Sequence, residues 1–142
     1  MACEIDIRMS LRIRKDKLDY QSNPTGFTDD LTGTKGPTPG AIAVSTQGTN
    51  VDLSQLTTPG WCWLQNLDVD NYVEWGIYDT ERDVFFPIGE LGPGQTALYK
   101  CSRNVLEEYF PATGTGTTAP TNKLRLRADK AACNVRVEVF EA

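Results

Sequence analysis

The side chains that do most enzymatic chemistry are thinly represented here, and one is missing: the 142 residues include no histidine. That removes the commonest general base, the Ser-His and Cys-His nucleophile pairs and histidine-based metal sites. Carboxylates remain for acid–base work. Glu107 with Glu108, and Asp79 with Glu81 and Asp83, are the clusters that could supply a glycosidase-type pair. Residues 79–83 (DTERD), however, stand between two apolar runs, where Asp is expected for its turn-forming hydrogen bonds. No catalytic residue is assigned, and the chain is expected not to be an enzyme.

Asp68, Asp70 and Asn71, with Asp79, Glu81 and Asp83 from the next turn, offer hard oxygen ligands of the kind calcium takes. Their spacing does not match the EF-hand loop, so neither a metal nor a cofactor is assigned. Cys3, Cys62, Cys101 and Cys133 are far apart and form no C-x-x-C pair, which argues against a zinc or thioredoxin-like motif. They are expected to be reduced and mostly buried. The glycine-rich stretches GPTPG and GTGTT lack the lysine and the strand-to-helix setting of a phosphate loop.

Recognition chemistry is better represented. Trp61 and Trp63 stand two apart, with Tyr72 and Tyr78 on the expected partner strand. Such a set could stack on sugar rings, or line a core on one face and a subunit interface on the other. The net charge of -5 disfavours sequence-independent nucleic-acid binding. Charge is also uneven. Residues 66–91 carry seven acids against Arg82 alone, whereas residues 123–142 carry five bases against three acids. Faces of opposite sign could meet between copies. Arg12, Arg14, Lys15 and Lys17 are interleaved with Asp16 and Asp19 and read as a solvated strand end. The interface candidates are therefore Arg8, Arg12, Arg14, Phe27 and Leu31 near the N-terminus; Trp61, Trp63 and Tyr72; the acids Asp79, Glu81 and Asp83; and Arg125 and Arg127.

These residues must be positioned by strands. Residues 2–14 alternate without a fault, from Cys3, Ile5, Ile7, Met9, Leu11 and Ile13 on one side to Glu4, Asp6, Arg8, Ser10, Arg12 and Arg14 on the other. A strand that long would reach about 43 Å, so it must bend between sheets or extend onto a neighbour. Residues 21–40 read as a long Pro/Gly/Thr-rich connection anchored by Phe27 and Leu31. Residues 41–48 and 51–56 read as short strands. PGWCWLQNL and YVEWGIY form an expected hairpin, with Trp61, Trp63 and Gln65 on one face and Cys62, Leu64 and Asn66 on the other. VFFPIGEL and QTALYKC give a further antiparallel pair around Gly92-Pro93-Gly94, and KLRLRAD and NVRVEVF a closing hairpin. Leu124, Leu126, Ala128, Val135, Val137 and Val139 face inward in that hairpin. Residues 104–110 suit one helical turn and residues 111–122 an extended loop.

At this length a single domain buries about 68% of the surface its unfolded chain exposes, enough for a core without staples. The fold expected is all-β: one antiparallel β-sandwich, jelly-roll-like or immunoglobulin-like, of about eight strands over residues 1–142, with Leu11, Leu64 and Val137 sharing its interior. No run approaches a membrane span, and the N-terminus lacks the pattern of a signal peptide.

The stretch from Pro59 to the C-terminus, a little more than half the chain, resembles the small virion structural proteins of tailed bacteriophages, and the residues that carry the resemblance are PGWCWLQNLDVDNYVEWGIYD, PIGELGPGQTALYK and KLRLRADKAACNVRVEVFEA. The resemblance implies a non-enzymatic β-sandwich present in many copies, as a capsid decoration or minor capsid protein or as a neck or tail component. It also implies a location in the virion after synthesis in the host cytoplasm. The partners would be further copies and other virion proteins, namely major capsid, neck or tail proteins, with no nucleic acid or membrane. The long N-terminal strand and residues 21–40 would be contact arms.

Overall fold

In the computed structural model, residues 4–31, 33–56, 58–101 and 122–141 are described. The described chain is all-β, with every strand pair antiparallel, and it divides into two compact units, residues 1–33 and 34–142. The expected helical turn at 104–110, all but the last residue of the loop expected at 111–122, and Cys3 lie outside the described residues.

The first unit is a two-stranded arm. β1 (Ile5–Met9) pairs with β4 (Thr25–Asp29), and β2 (Arg12–Lys15) pairs with β3 (Leu18–Gln21). The turn at its tip is Asp16-Lys17, with Asp16 at φ 51°, a left-handed conformation that Asp tolerates. Between the two ladders, two residues of the outgoing chain face three of the returning chain. Ser22 bridges that irregularity, its amide donating to Leu11 O and its hydroxyl accepting from the Leu11 amide, both at 2.8 Å. Pro24 falls in this unpaired stretch, where a missing N–H costs nothing.

The unbroken strand expected over residues 2–14 is thus two strands of an arm, and the connection expected at 21–40 contains β3's last residue, all of β4 and the start of β5. The interior position expected for Leu11 is also corrected, since Leu11 is 53% exposed. Alternation identifies an apolar face without specifying what covers it.

The second unit holds two four-stranded sheets. One runs β10 (Thr96–Lys100), β7 (Pro59–Asn66), β12 (Cys133–Glu141), β5 (Thr38–Val44). The other runs β6 (Thr49–Asn50), β11 (Asn122–Ala128), β8 (Val73–Asp79), β9 (Val84–Leu91). Inward residues of both build one core. Cys62 and Leu64 of β7, Val135, Val137 and Val139 of β12 and Val44 of β5 meet Leu124 and Leu126 of β11, Val73 of β8 and Leu91 of β9. Leu64, Val44, Val73 and Leu126 are fully enclosed, each worth about 1.5–3 kcal/mol of burial. Trp75 and Tyr99 pack against this cluster.

Among the described strands of this unit only β8 and β9 are consecutive and paired; every other consecutive pair lies in opposite sheets. The hairpins expected for residues 59–78, 84–101 and 123–140 are all corrected by this arrangement. A polar turn between two alternating strands reads alike whether the strands pair or stack across a core. Asn66, fully buried at the end of β7, shows how the crossing is held. Its Nδ2 donates to the carbonyls of Asn71 (2.8 Å), Leu91 (3.1 Å) and Gly92 (3.2 Å), and its Oδ1 accepts from the Asp68 amide (3.0 Å). Residues 51–56, expected as a strand, form a turn in which Asp52 accepts the Ser54 amide. Val51 and Leu56 anchor that turn in the core.

Candidate functional site

The surface of the arm is sorted by period two. Ile13 lies opposite Tyr20 and Lys15 opposite Leu18, so these four share a face, while the pairs Arg12 with Gln21 and Arg14 with Asp19 share the other. Ile7 lies opposite Phe27 in the basal ladder and is the arm's one buried hydrophobic residue among those described. Met9, Leu11, Ile13, Leu18 and Tyr20 are 43–57% exposed. Arg8 pairs with Asp6 at 3.3 Å, and Arg12 and Arg14 flank Asp19 at 3.8 and 3.7 Å, all on open surface. Leu31 is half-buried, its amide donating to Glu4 Oε2 at 2.7 Å. An open depression of about 350 Å³, lined by Arg8, Met9, Ser10, Pro24, Thr25 and Gly26, marks the irregular stretch of the arm.

On the outer face of the β10-β7-β12-β5 sheet stand Trp61 and Trp63, as the alternation of β7 requires. Trp63 is 42% exposed and lies between Leu98 of β10 and Glu138 of β12. Trp61 is half-buried, with the Lys100 ammonium 5.6 Å from its ring centre. Tyr72 does not join them. It is exposed in the connection leading into β8, on the other sheet, with its amide held by Asp129 Oδ1 at 3.2 Å.

The outer face of the β6-β11-β8-β9 sheet carries a cation–π ladder. The Arg125 guanidinium lies 3.2 Å from the Tyr78 ring centre and donates from Nε to Asn50 Oδ1 at 2.8 Å. Arg127 covers the Phe85 ring at 4.8 Å and pairs with Glu74 at 3.2 Å. Tyr78 in turn donates to the Asp83 carboxylate, which holds its phenol above the usual range. The two arginines are thus bound down along the sheet as a rigid, partly neutralised rail.

The turn between β8 and β9 uses its acids internally. Asp79 is buried and accepts the amides of Glu81 (3.0 Å) and Arg82 (3.3 Å), with Arg82 closing over it at 3.5 Å. Glu81 and Asp83 are the exposed acids of that turn. Asp68 is similarly occupied. Its Oδ2 accepts from the Asn71 amide (2.6 Å), the Asp70 amide (3.1 Å) and Asn71 Nδ2 (3.0 Å), and the Asn71 and Asp70 amide bonds lower its pKa. The oxygen ligands considered for calcium therefore do not converge. Among the described residues no three His, Cys, Asp or Glu side chains gather where they could hold a metal ion.

Beside this turn, β9 is the edge of its sheet and carries Val84, Phe86 and Ile88, 39–64% exposed. Sequence reasoning passed over this patch, although Pro87 inside an apolar run is a signal of an edge strand. Pro87 opposes Gly76 and Gly89 opposes Trp75, so Ile88 is the extra residue of a bulge. An open depression of about 250 Å³ lined by Glu74, Pro87, Ile88, Gly89 and Glu90 lies along it.

Cys62, Cys101 and Cys133 are free thiols. Cys62 and Cys101 lie beside the Tyr99 hydroxyl on the inner face, where burial pushes their pKa up to about 12 and about 11. A thiol held protonated in this way is unreactive packing and not a nucleophile. Among the described residues no helix is long and apolar enough to cross a membrane. Comparison with protein-family models, with curated proteins and with solved structures finds no match.

Proposed function

We propose that this chain is a non-enzymatic structural protein of a phage-type virion, working in many copies as a capsid decoration or minor capsid protein. Its alternative position is the neck or tail of the particle. The observation that carries the reading is the arm. A two-stranded unit with five apolar side chains about half exposed cannot build a core of its own, whereas the second unit has one. A partner that covers the arm is the physical reason for such a design.

The strand order supports a sandwich of the jelly-roll kind. The pairs β5–β12, β6–β11, β7–β10 and β8–β9 are nested like the two limbs of one long hairpin, and wrapping that hairpin yields the orders β10-β7-β12-β5 and β6-β11-β8-β9. Jelly rolls recur in viral capsid and lectin domains, an association of fold and not of site. The resemblance of residues 59–142 to tailed-phage virion proteins points the same way. Mass spectrometry and electron microscopy of purified particles test the proposal. The protein is expected at high copy number at symmetric positions, and its absence from intact particles overturns the reading.

A second reading follows from Trp63, which is open to solvent on a sheet face shared with Trp61. Such a face suits a carbohydrate-binding module, although Tyr72 does not join it. Glycan-array binding that disappears in Trp63→Ala would favour this function; an empty array removes it.

A further inference from the structure

We infer that the tip half of the arm, residues 11–22, opens and closes as a unit of its own, with the Leu11–Ser22 rung as its catch; this goes beyond the proposed function and concerns the arm alone. The boundary is built into the register. Met9 pairs with Thr25, and the next rung joins Leu11 to Ser22, so Ser10 faces both Asn23 and Pro24. One extra residue on the returning chain is a β-bulge, which breaks the ladder and bends the strand. It also changes the parity of the returning chain, so that Tyr20 opposite Ile13 and Phe27 opposite Ile7 both pair with odd-numbered apolar residues.

The two halves differ in what holds them. At the base Ile7 is buried, Ile5 and Asp29 are half-buried, and the Leu31 amide donates to Glu4 Oε2 at 2.7 Å. Beyond the bulge every residue of β2 and β3 is exposed. The ion pairs of Arg12 and Arg14 with Asp19, at 3.8 and 3.7 Å on open surface, add little. A two-stranded hairpin with no buried side chain is marginal by itself. The rung that joins it to the base depends on one hydroxyl. Ser22 donates its amide to Leu11 O, but the Leu11 amide donates to Ser22 Oγ, a side-chain atom standing where a regular rung uses a carbonyl. Few buried contacts and solvent-exposed backbone bonds are the marks of a segment that opens locally. Elements that become ordered only on assembly are drawn from this end of the stability range.

Amide hydrogen exchange of the full-length protein in dilute solution, read by NMR, tests this. Bonded rungs alternate from Leu11–Ser22, so Ile13, Lys15, Leu18 and Tyr20 carry the bonded amides of the tip. Corrected for intrinsic rates, these amides are expected to exchange together, at least about tenfold faster than the bonded amides of β1 and β4. Dilute urea should change their rate little, because the opening exposes little surface. Ser22→Ala is expected to speed them by about fivefold, the worth of one ordinary hydrogen bond, and to leave β1 and β4 unchanged. Ser22→Thr keeps the hydroxyl and should restore the native rate. A tip that exchanges in one step with the base overturns the inference, as does a Ser22→Ala effect shared equally by both ladders. Amides without any protection would mean that the hairpin never closes, and would overturn it as well. None of these results bears on whether the protein is found in particles, so the inference and the proposed function fail separately.

Discussion

Trp75 of β8 and Tyr99 of β10 stack face to face, with ring centroids 4.7 Å apart and planes 8° from parallel, and so join an edge strand of one sheet to an inner strand of the other. The Tyr99 hydroxyl is buried beside the thiols of Cys62 and Cys101 and has no nitrogen or oxygen partner among the described residues. The ring is therefore a favourable part of the core, while the hydroxyl has at best weak sulfur partners.

Tyr99→Ala removes the stack and leaves a cavity, at an expected cost of about 3–5 kcal/mol. Tyr99→Phe keeps the ring and discards a polar atom that has at best weak sulfur partners, so stability is expected to change by less than about 1 kcal/mol. Urea denaturation of the two variants separates these effects. A Tyr99→Phe protein as unstable as Tyr99→Ala would show that the hydroxyl, and not the stacked ring, holds this part of the core.

Asn66 satisfies three carbonyls at the junction between the sheets. Asn66→Ala strands these acceptors in a site closed to water and is expected to destabilise the fold by about 2–4 kcal/mol, more than its change in volume would suggest. Amide hydrogen exchange should show the loss concentrated in residues 66–71 and 91–95. Uniform loss of protection across both sheets would mean that Asn66 contributes packing alone.

Gly76 lies under the β9 bulge, where an added Cβ would collide with the Phe86 carbonyl oxygen. That neighbour is backbone and cannot swing aside, so Gly76→Ala is expected to cost more than about 2 kcal/mol and to release the β9 edge. Thermal melting measures the cost.

The buried thiols predict an alkaline limit to stability. In the unfolded chain a cysteine ionises near pH 8.5, whereas burial holds Cys62 protonated up to about 12 and Cys101 up to about 11. Below pH 8.5 both states carry these protons and the stability is fully present. Above it the unfolded state binds fewer protons than the native one, so stability falls as pH rises, by up to about 1.4 kcal/mol per pH unit for Cys62, until the native thiols titrate. Urea midpoints between pH 8 and 10.5 measure this slope, and Cys62→Ala should flatten it. A slope unchanged in that variant would assign the alkaline loss to other groups.

Period-two alternation alone determined that this chain makes sheets. It also determined which residues of β7, β11 and β12 face inward, because a side chain on a strand has only two directions to choose from. The lack of histidine and of metal-ligand spacing was equally plain without coordinates. Which strand pairs with which was decided only in three dimensions. The acidic turn at 79–83 closes a hairpin while the polar turn at 67–72 crosses between sheets, and the difference lies in where Asn66 finds its carbonyls and in which inward faces fill one core. The N-terminal alternation likewise stated that Leu11 and Ile13 share an apolar face, but not that this face stays open. Whether an apolar face is covered depends on residues distant in the chain, which alternation within one strand does not encode.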